Sequence, residues 1–148
     1  MKKHALLLFL LALSWGAAAQ AGERVLTLGK QAVRAEVVDT LEAQERGLMH
    51  REHLCADCGM LFVFATPARY GFWMKDTLLP LSIAFIDAHG RIINITDMRA
   101  NTLDVHYPDR DALYTLEMNQ GWFARHGIRA GDRVQGLPRA AAGGGKNE

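Results

Sequence analysis

From Met60 onward the chain is a succession of short apolar runs separated by turn residues. Met60 to Phe64 reads MLFVF, Leu81 to Ile86 reads LSIAFI, Arg91 to Ile95 reads RIINI and Ala112 to Met118 reads ALYTLEM. A continuous apolar run of this length between Gly, Pro, Asn and Asp suits a buried strand. Asp87-Ala88-His89-Gly90 joins two of the runs, with Gly where a turn needs a positive φ. Upstream, Arg24 to Leu28 alternates, Gly29-Lys30-Gln31 turns, and Ala32 to Val38 returns, a hairpin pattern. Phe72 to Lys75 is a further short extended piece, and residues 100–110 are a longer loop.

Two helices punctuate these strands. Asp39-Thr40-Leu41-Glu42 has the spacing of a capping box and predicts a helix to about Met49 or His50. Its apolar stripe, Leu41, Leu48 and Met49, is narrow. Asn119-Gln120-Gly121-Trp122 opens a short second helix that Gly127 can end, and a last strand follows by Val134. The expected fold is mainly β (α+β): a compact antiparallel domain, barrel- or sandwich-like, over residues 24–138. One core should take Leu61, Val63, Phe72, Met74, Ile83, Phe85, Ile93, Ile95 and Leu116. Residues 139–148 read as a flexible tail. No βα alternation is visible, and Gly143-Gly144-Gly145 lacks the strand and helix of a phosphate-binding loop.

The start of the chain is of another kind. Met1-Lys2-Lys3-His4 is basic, Ala5 to Leu13 is unbroken and apolar, and Ala17-Ala18-Ala19 is small. These are the three parts of a secretory signal peptide, with cleavage expected near Ala19 or, alternatively, Ala21. The apolar run falls short of the roughly 20 residues that span a bilayer. The expectation is a periplasmic or secreted protein with no stable membrane anchor after cleavage. Charge excludes another class: 17 Lys+Arg against 16 Asp+Glu leave no basic excess for a nucleic-acid backbone.

Residues 45–87 carry a pattern. It runs Glu45-Arg46-Gly47-Leu48-Met49, Arg51, Leu54, then Gly59-Met60-Leu61-Phe62-Val63-Phe64. Phe72-Trp73-Met74-Lys75, Thr77, Pro80-Leu81 and Phe85-Ile86-Asp87 with Gly90 follow. This resembles the DUF192 family, also called UPF0127, and the likeness continues through Leu116-Glu117, Gly121 and Gly131-Asp132. The resemblance implies a compact β-rich domain, often exported, with no established activity. Asp76 stands where the family usually has Asn, and Ser82 where it usually has Asp. Cys55 and Cys58 fall in a loop that varies within the family.

Three constellations carry chemistry. His50, His53, Cys55 and Cys58 could supply metal ligands, flanked by Met49 and Met60, although the spacing fits ordinary zinc sites poorly. In an oxidising compartment the same cysteines make a Cys55–Cys58 disulfide, structural or redox-active. A catalytic pair normally opens a helix, whereas a strand follows Cys58 here. Trp73 and Lys75, with Arg46 and Arg51, could line a shallow pocket for an anionic or sugar-like ligand. In the competing account Glu45 and Asp87 neutralise these cations. Asp104, Asp109 and Asp111, near Asn101 and His106, could hold a hard cation or be a solvated loop. Ser82 lacks a nucleophile turn, which disfavours a serine hydrolase.

The chain thus reads as a non-enzymatic binding or accessory module for a small-molecule or glycan ligand, with no cofactor implied. A thiol-redox or metal-handling protein using the His50–Cys58 segment is one alternative. A small carboxylate-dependent hydrolase is another.

Overall fold

The computed structural model describes residues 22–140. The signal peptide expected over 1–19 and the tail beyond 140 lie outside the described residues. Among the described residues seven strands form one sheet: β1 (Glu23–Leu28), β2 (Gln31–Val38), β3 (Cys58–Ala68), β4 (Leu81–Ile86), β5 (Ile92–Met98), β6 (Ala112–Asn119) and β7 (Val134–Gln135). Two short helices accompany them, α1 (Leu41–Arg46) and α2 (Trp122–Arg125). The strand order is β5-β4-β6-β3-β2-β1-β7. The sheet curls into a half-barrel, and its edges meet: Arg91 bridges Arg133, and the Val134 N–H donates to the Gly90 carbonyl at 2.8 Å. This is the mainly β, barrel-like architecture that the apolar runs imply.

Each strand's pattern decides how many of its faces are covered. β1 and β2 alternate, burying Leu26, Leu28, Val33 and Ala35 toward the inside of the curl and leaving the other face wet. β4 is buried at all six positions and β6 at seven of eight, so both faces of the central strands are covered. The single core expected from sequence is therefore two. Leu61, Val63, Leu116, Trp122 and Phe123 fill the concave side. Met60, Phe62, Met74, Ile83, Phe85 and Ile93 form a second cluster on the convex side, under long loops. Phe72 and Ile95 are only partly buried.

Two further expectations are corrected. β2 and β3 pair in parallel, with Arg34 opposite Cys58 and Val38 opposite Phe62. Parallel neighbours need a crossover, and α1 with the cysteine loop provides it. The helix is also shorter than expected. Thr40, not Asp39, is its N-cap, accepting from the Ala43 N–H at 3.3 Å. Gly47 ends it at φ +47°, a backbone region that favours glycine.

Candidate functional site

The convex side of β3 and β6 is roofed by residues 70–77. Phe72 exchanges two backbone hydrogen bonds with His106, at 2.9 and 2.7 Å. The Met74 N–H donates to Thr102, the Asn101 N–H to Thr77 and the His50 N–H to Asp76. His50, Asp76 and Asn101 all have positive φ, at 61°, 53° and 56°. Asn, Asp and His tolerate that region better than other side chains, so the roof bends where the sequence allows it. Gly71 permits the closest approach: a Cβ there would sit 2.7 Å from Val105 and Tyr107.

Between this roof, α1 and the sheet lies a cavity of about 460 Å³. Phe62 and Phe64 of β3 and Glu117 of β6 line its sheet side. Leu41, Gln44, Leu48 and Met49 form the helix side, and Tyr70, Phe72, Trp73 and Thr77 the roof. The aromatic rings hold one another. Phe64 stacks on Tyr70 with centroids 3.8 Å apart, and Phe72 meets Phe62 edge-on at 4.9 Å. Gln44 donates to the carbonyls of Val63 at 2.8 Å and Val38 at 3.3 Å, pinning the helix to the sheet.

Glu117 is the exceptional residue. It is 5% exposed. It lies opposite Met60 of β3 and Ile83 of β4, with Phe62 and Phe85 one position along the same face. No hydrogen bond or ion pair reaches its carboxyl among the described residues. Burial pushes its pKa up to about 8. Two residues back on the same face, the Thr115 hydroxyl is buried without a partner. Sequence reasoning placed Glu117 only as one letter of a family pattern. An acidic residue inside the apolar run ALYTLEM was the signal available.

The residues singled out from sequence divide. Trp73, Glu45 and Arg46 line the cavity; Lys75, Arg51 and Asp87 do not. Trp73 is 49% exposed at the rim, and the Lys75 ammonium lies 5.7 Å from its ring centroid with no carboxylate partner among the described residues. The Arg46 guanidinium pairs with Glu42 at 2.7 Å, one helical turn away. Arg51 turns to Glu36 at 2.6 Å. Asp87 sits in the β4–β5 turn. Burial raises its pKa, but the Arg91 and His89 N–H groups and the Arg110 guanidinium outweigh that and hold it low. Glu45 and Asp87 therefore do not neutralise Lys75, contrary to the competing account.

The His50–Cys58 segment is a separate feature. The Cys55 and Cys58 sulfurs are bonded at 1.91 Å, which leaves no thiolate for a metal. Among the described residues no group of three or more His, Cys, Asp or Glu is placed to hold a metal ion. The Arg34 guanidinium lies 3.4 and 3.5 Å from the two sulfurs. The loop is also tied without the disulfide: Asn119 donates to the Leu54 and Cys55 carbonyls, and the Trp122 indole to Asp57 at 2.9 Å. Closing so short a loop restricts the unfolded chain little. Replacing both cysteines by Ser is expected to cost at most about 2 kcal/mol. Urea unfolding measures this; a loss of several times that size would mean that the disulfide, not the ties, holds the loop.

Comparison with known proteins places the fold. A protein of Sinorhizobium meliloti 1021, described as a candidate transcription regulator, matches with a TM-score of 0.76 and 32% identity, over 82% of this chain and 98% of its own. A protein of unknown function from Novosphingobium aromaticivorans DSM 12444 matches with a TM-score of 0.72 and 32% identity, over 76% of this chain and 83% of its own. No curated protein matches. The model of the family DUF192, described as "Uncharacterized ACR, COG1430", matches residues 24–136, which contain all of the sheet but Glu23, the roof and the cavity. The curled sheet is thus shared with solved structures, and the chain belongs to the DUF192 family.

Proposed function

We propose that the domain is a binding module that holds one small molecule, with an apolar body and a polar end, in the cavity beneath residues 70–77. The observation that carries this reading is Glu117, only 5% exposed, whose carboxyl has no hydrogen-bond partner among the described residues and lines an open, aromatic-walled volume. A buried polar group without a partner costs free energy that a ligand donor would recover. A volume of this size, mostly apolar with a few polar groups, is the usual form of a small-molecule site. Binding rather than catalysis fits the lining: the Thr77 hydroxyl is turned to the Lys75 carbonyl at 3.1 Å, and the other charged side chains stand at the rim. The pattern of residues 1–19 adds export to this reading, so the molecule would be met outside the cytoplasm.

The ligand's charge departs from the anion expected of Lys75, Arg46 and Arg51. Only Arg46 lines the cavity, and Glu42 engages it. Asp39 and Glu45 at the rim and Glu117 at the sheet make the lining acidic. Nucleic acid is opposed by the balanced charge of the chain.

The test is an aromatic-fragment screen read on the protein by NMR. Binding in the cavity shifts the amides of residues 44–49, 62–64, 70–73 and 117 together. Hits that map elsewhere, or a screen without hits, would remove the reading.

A further inference from the structure

We infer that the ligand is an organic monocation, an alkyl- or arylammonium whose charged nitrogen seats against Glu117 and the rings of Phe62 and Phe72. The inference rests on the cavity being the binding site and adds the class of molecule it takes.

Three observations point to a cation. First, Glu117 stands on an apolar face of the sheet: Met60 and Ile83 are opposite it, and Phe62 and Phe85 lie one position along the same face. No lysine or arginine among the described residues pairs with it. Second, the cavity that Glu117 lines is walled by aromatic side chains. Phe62, Phe64, Tyr70, Phe72 and Trp73 all line it, and Phe72 stands edge-on to Phe62 at 4.9 Å. A ring face attracts an ammonium, and more strongly once water is excluded. Third, the chain's own Lys75 ammonium already lies over Trp73 at the rim. The remaining charges around the cavity do not change its sign. Asp39 and Glu45 add negative potential, Arg46 is paired with Glu42, and the Tyr70 hydroxyl donates to the Thr66 carbonyl at 3.0 Å. β3 and β4 contribute no charged group to the face next to Glu117.

A neutral ligand with a hydrogen-bond acceptor is the other class that this carboxyl could hold, and pH separates the two. A cation needs the carboxylate. Binding below about pH 8 therefore sends the Glu117 proton to solvent, and affinity rises with pH. An acceptor needs the protonated acid, so its affinity falls over the same range.

The experiment is calorimetric titration with benzyltrimethylammonium and choline, each against a neutral carbon isostere, neopentylbenzene and 3,3-dimethylbutan-1-ol. The quaternary cations stay charged at every pH. Each cation is expected to bind the wild type at least about tenfold more tightly than its isostere at pH 8. Its affinity should fall by about fiftyfold at pH 6, with proton release visible as a dependence on buffer ionisation heat. Glu117→Gln keeps the shape of the site and should abolish both the preference and the pH dependence. Phe72→Leu, which leaves the carboxyl in place, should weaken the preference and keep the pH dependence. Isosteres that bind as well as the cations, cations that fail to bind where aromatic fragments do, or a Glu117→Gln protein with the wild-type pH profile would each overturn the cation and leave the cavity reading standing. A cavity that takes neither fragments nor cations would remove both.

Discussion

Replacing Glu117 with Met is expected to stabilise the protein increasingly as pH rises, by about 3–4 kcal/mol more at pH 8 than at pH 5. The cause is the difference between the folded and unfolded carboxyl. Burial raises its folded pKa to about 8, from 4.5. Between those values the native state keeps a proton that the unfolded chain has released. The native state thus binds more protons, and stability falls as pH rises across that window. Below it both states are protonated, and above it both are ionised, so the slope vanishes. Methionine removes the titration and fills a similar volume among Met60, Ile83 and Phe85. Asp87, held low by its turn, stabilises the native state above its unfolded pKa, but it does so in both proteins and cancels in the difference. Urea unfolding at pH 5, 6, 7 and 8 measures the effect. Parallel wild-type and Glu117→Met curves would mean that the carboxyl finds a partner within the protein and needs none from a ligand. The stabilised variant should also lose the ligand's polar anchor, the usual cost of relieving a strained site.

The convex cavity shows which parts of this molecule are legible from sequence. The strands were legible because β3, β4 and β6 carry continuous apolar runs and β1 and β2 alternate. The division of the core was not. A run buried on both faces does not say what lies on each, and the cover over Phe62 and Phe85 comes from residues 70–77, which read only as a short extended piece. The parallel pairing of β2 with β3 was hidden because the crossover helix is six residues long. Its capping box suggested a longer helix, and Gly47, already visible, was the true stop.

The site was harder to read than the fold, and for a different reason. Sequence reasoning sought charge on charge-bearing letters: Lys75, Arg51 and Asp87. Each has an exposed or locally satisfied setting, which is the ordinary fate of a charged residue. Glu117 escaped because its neighbours in sequence are apolar, and its meaning depends on which residues of β3 and β4 stand opposite. Two polar residues of the 75–82 stretch become intelligible in the same way. Asp76 sits at a left-handed position that Asp tolerates. Ser82, inside an apolar run, donates to Asp97 of the neighbouring strand and accepts from the Gly121 N–H at 2.7 Å.

Trp122→Ala should be among the most destabilising single changes on the concave side, with an expected loss of about 3–5 kcal/mol. Trp122 is 1% exposed and begins α2, directly after Gly121 at φ +76°. Its ring packs edge-on to Phe123 at 5.3 Å and against His126 at 4.4 Å. Its indole N–H also reaches Asp57 in the crossover loop. Truncation to Ala leaves a large void that rigid strands on several sides cannot close. Trp122→Phe separates the two contributions: it keeps most of the packing and loses only the bond to an exposed carboxylate, for which about 1 kcal/mol is expected. Urea unfolding gives both numbers, and amide exchange locates them. In both variants residues 55–58 should exchange faster, because Asp57 loses its tie. Only the Ala variant should expose β1, β2 and β6, whose concave residues share the void. A Trp122→Ala protein that loses less than about 1.5 kcal/mol would mean that the concave core closes around the cavity, and that the central strands are less rigid than their two-sided burial implies.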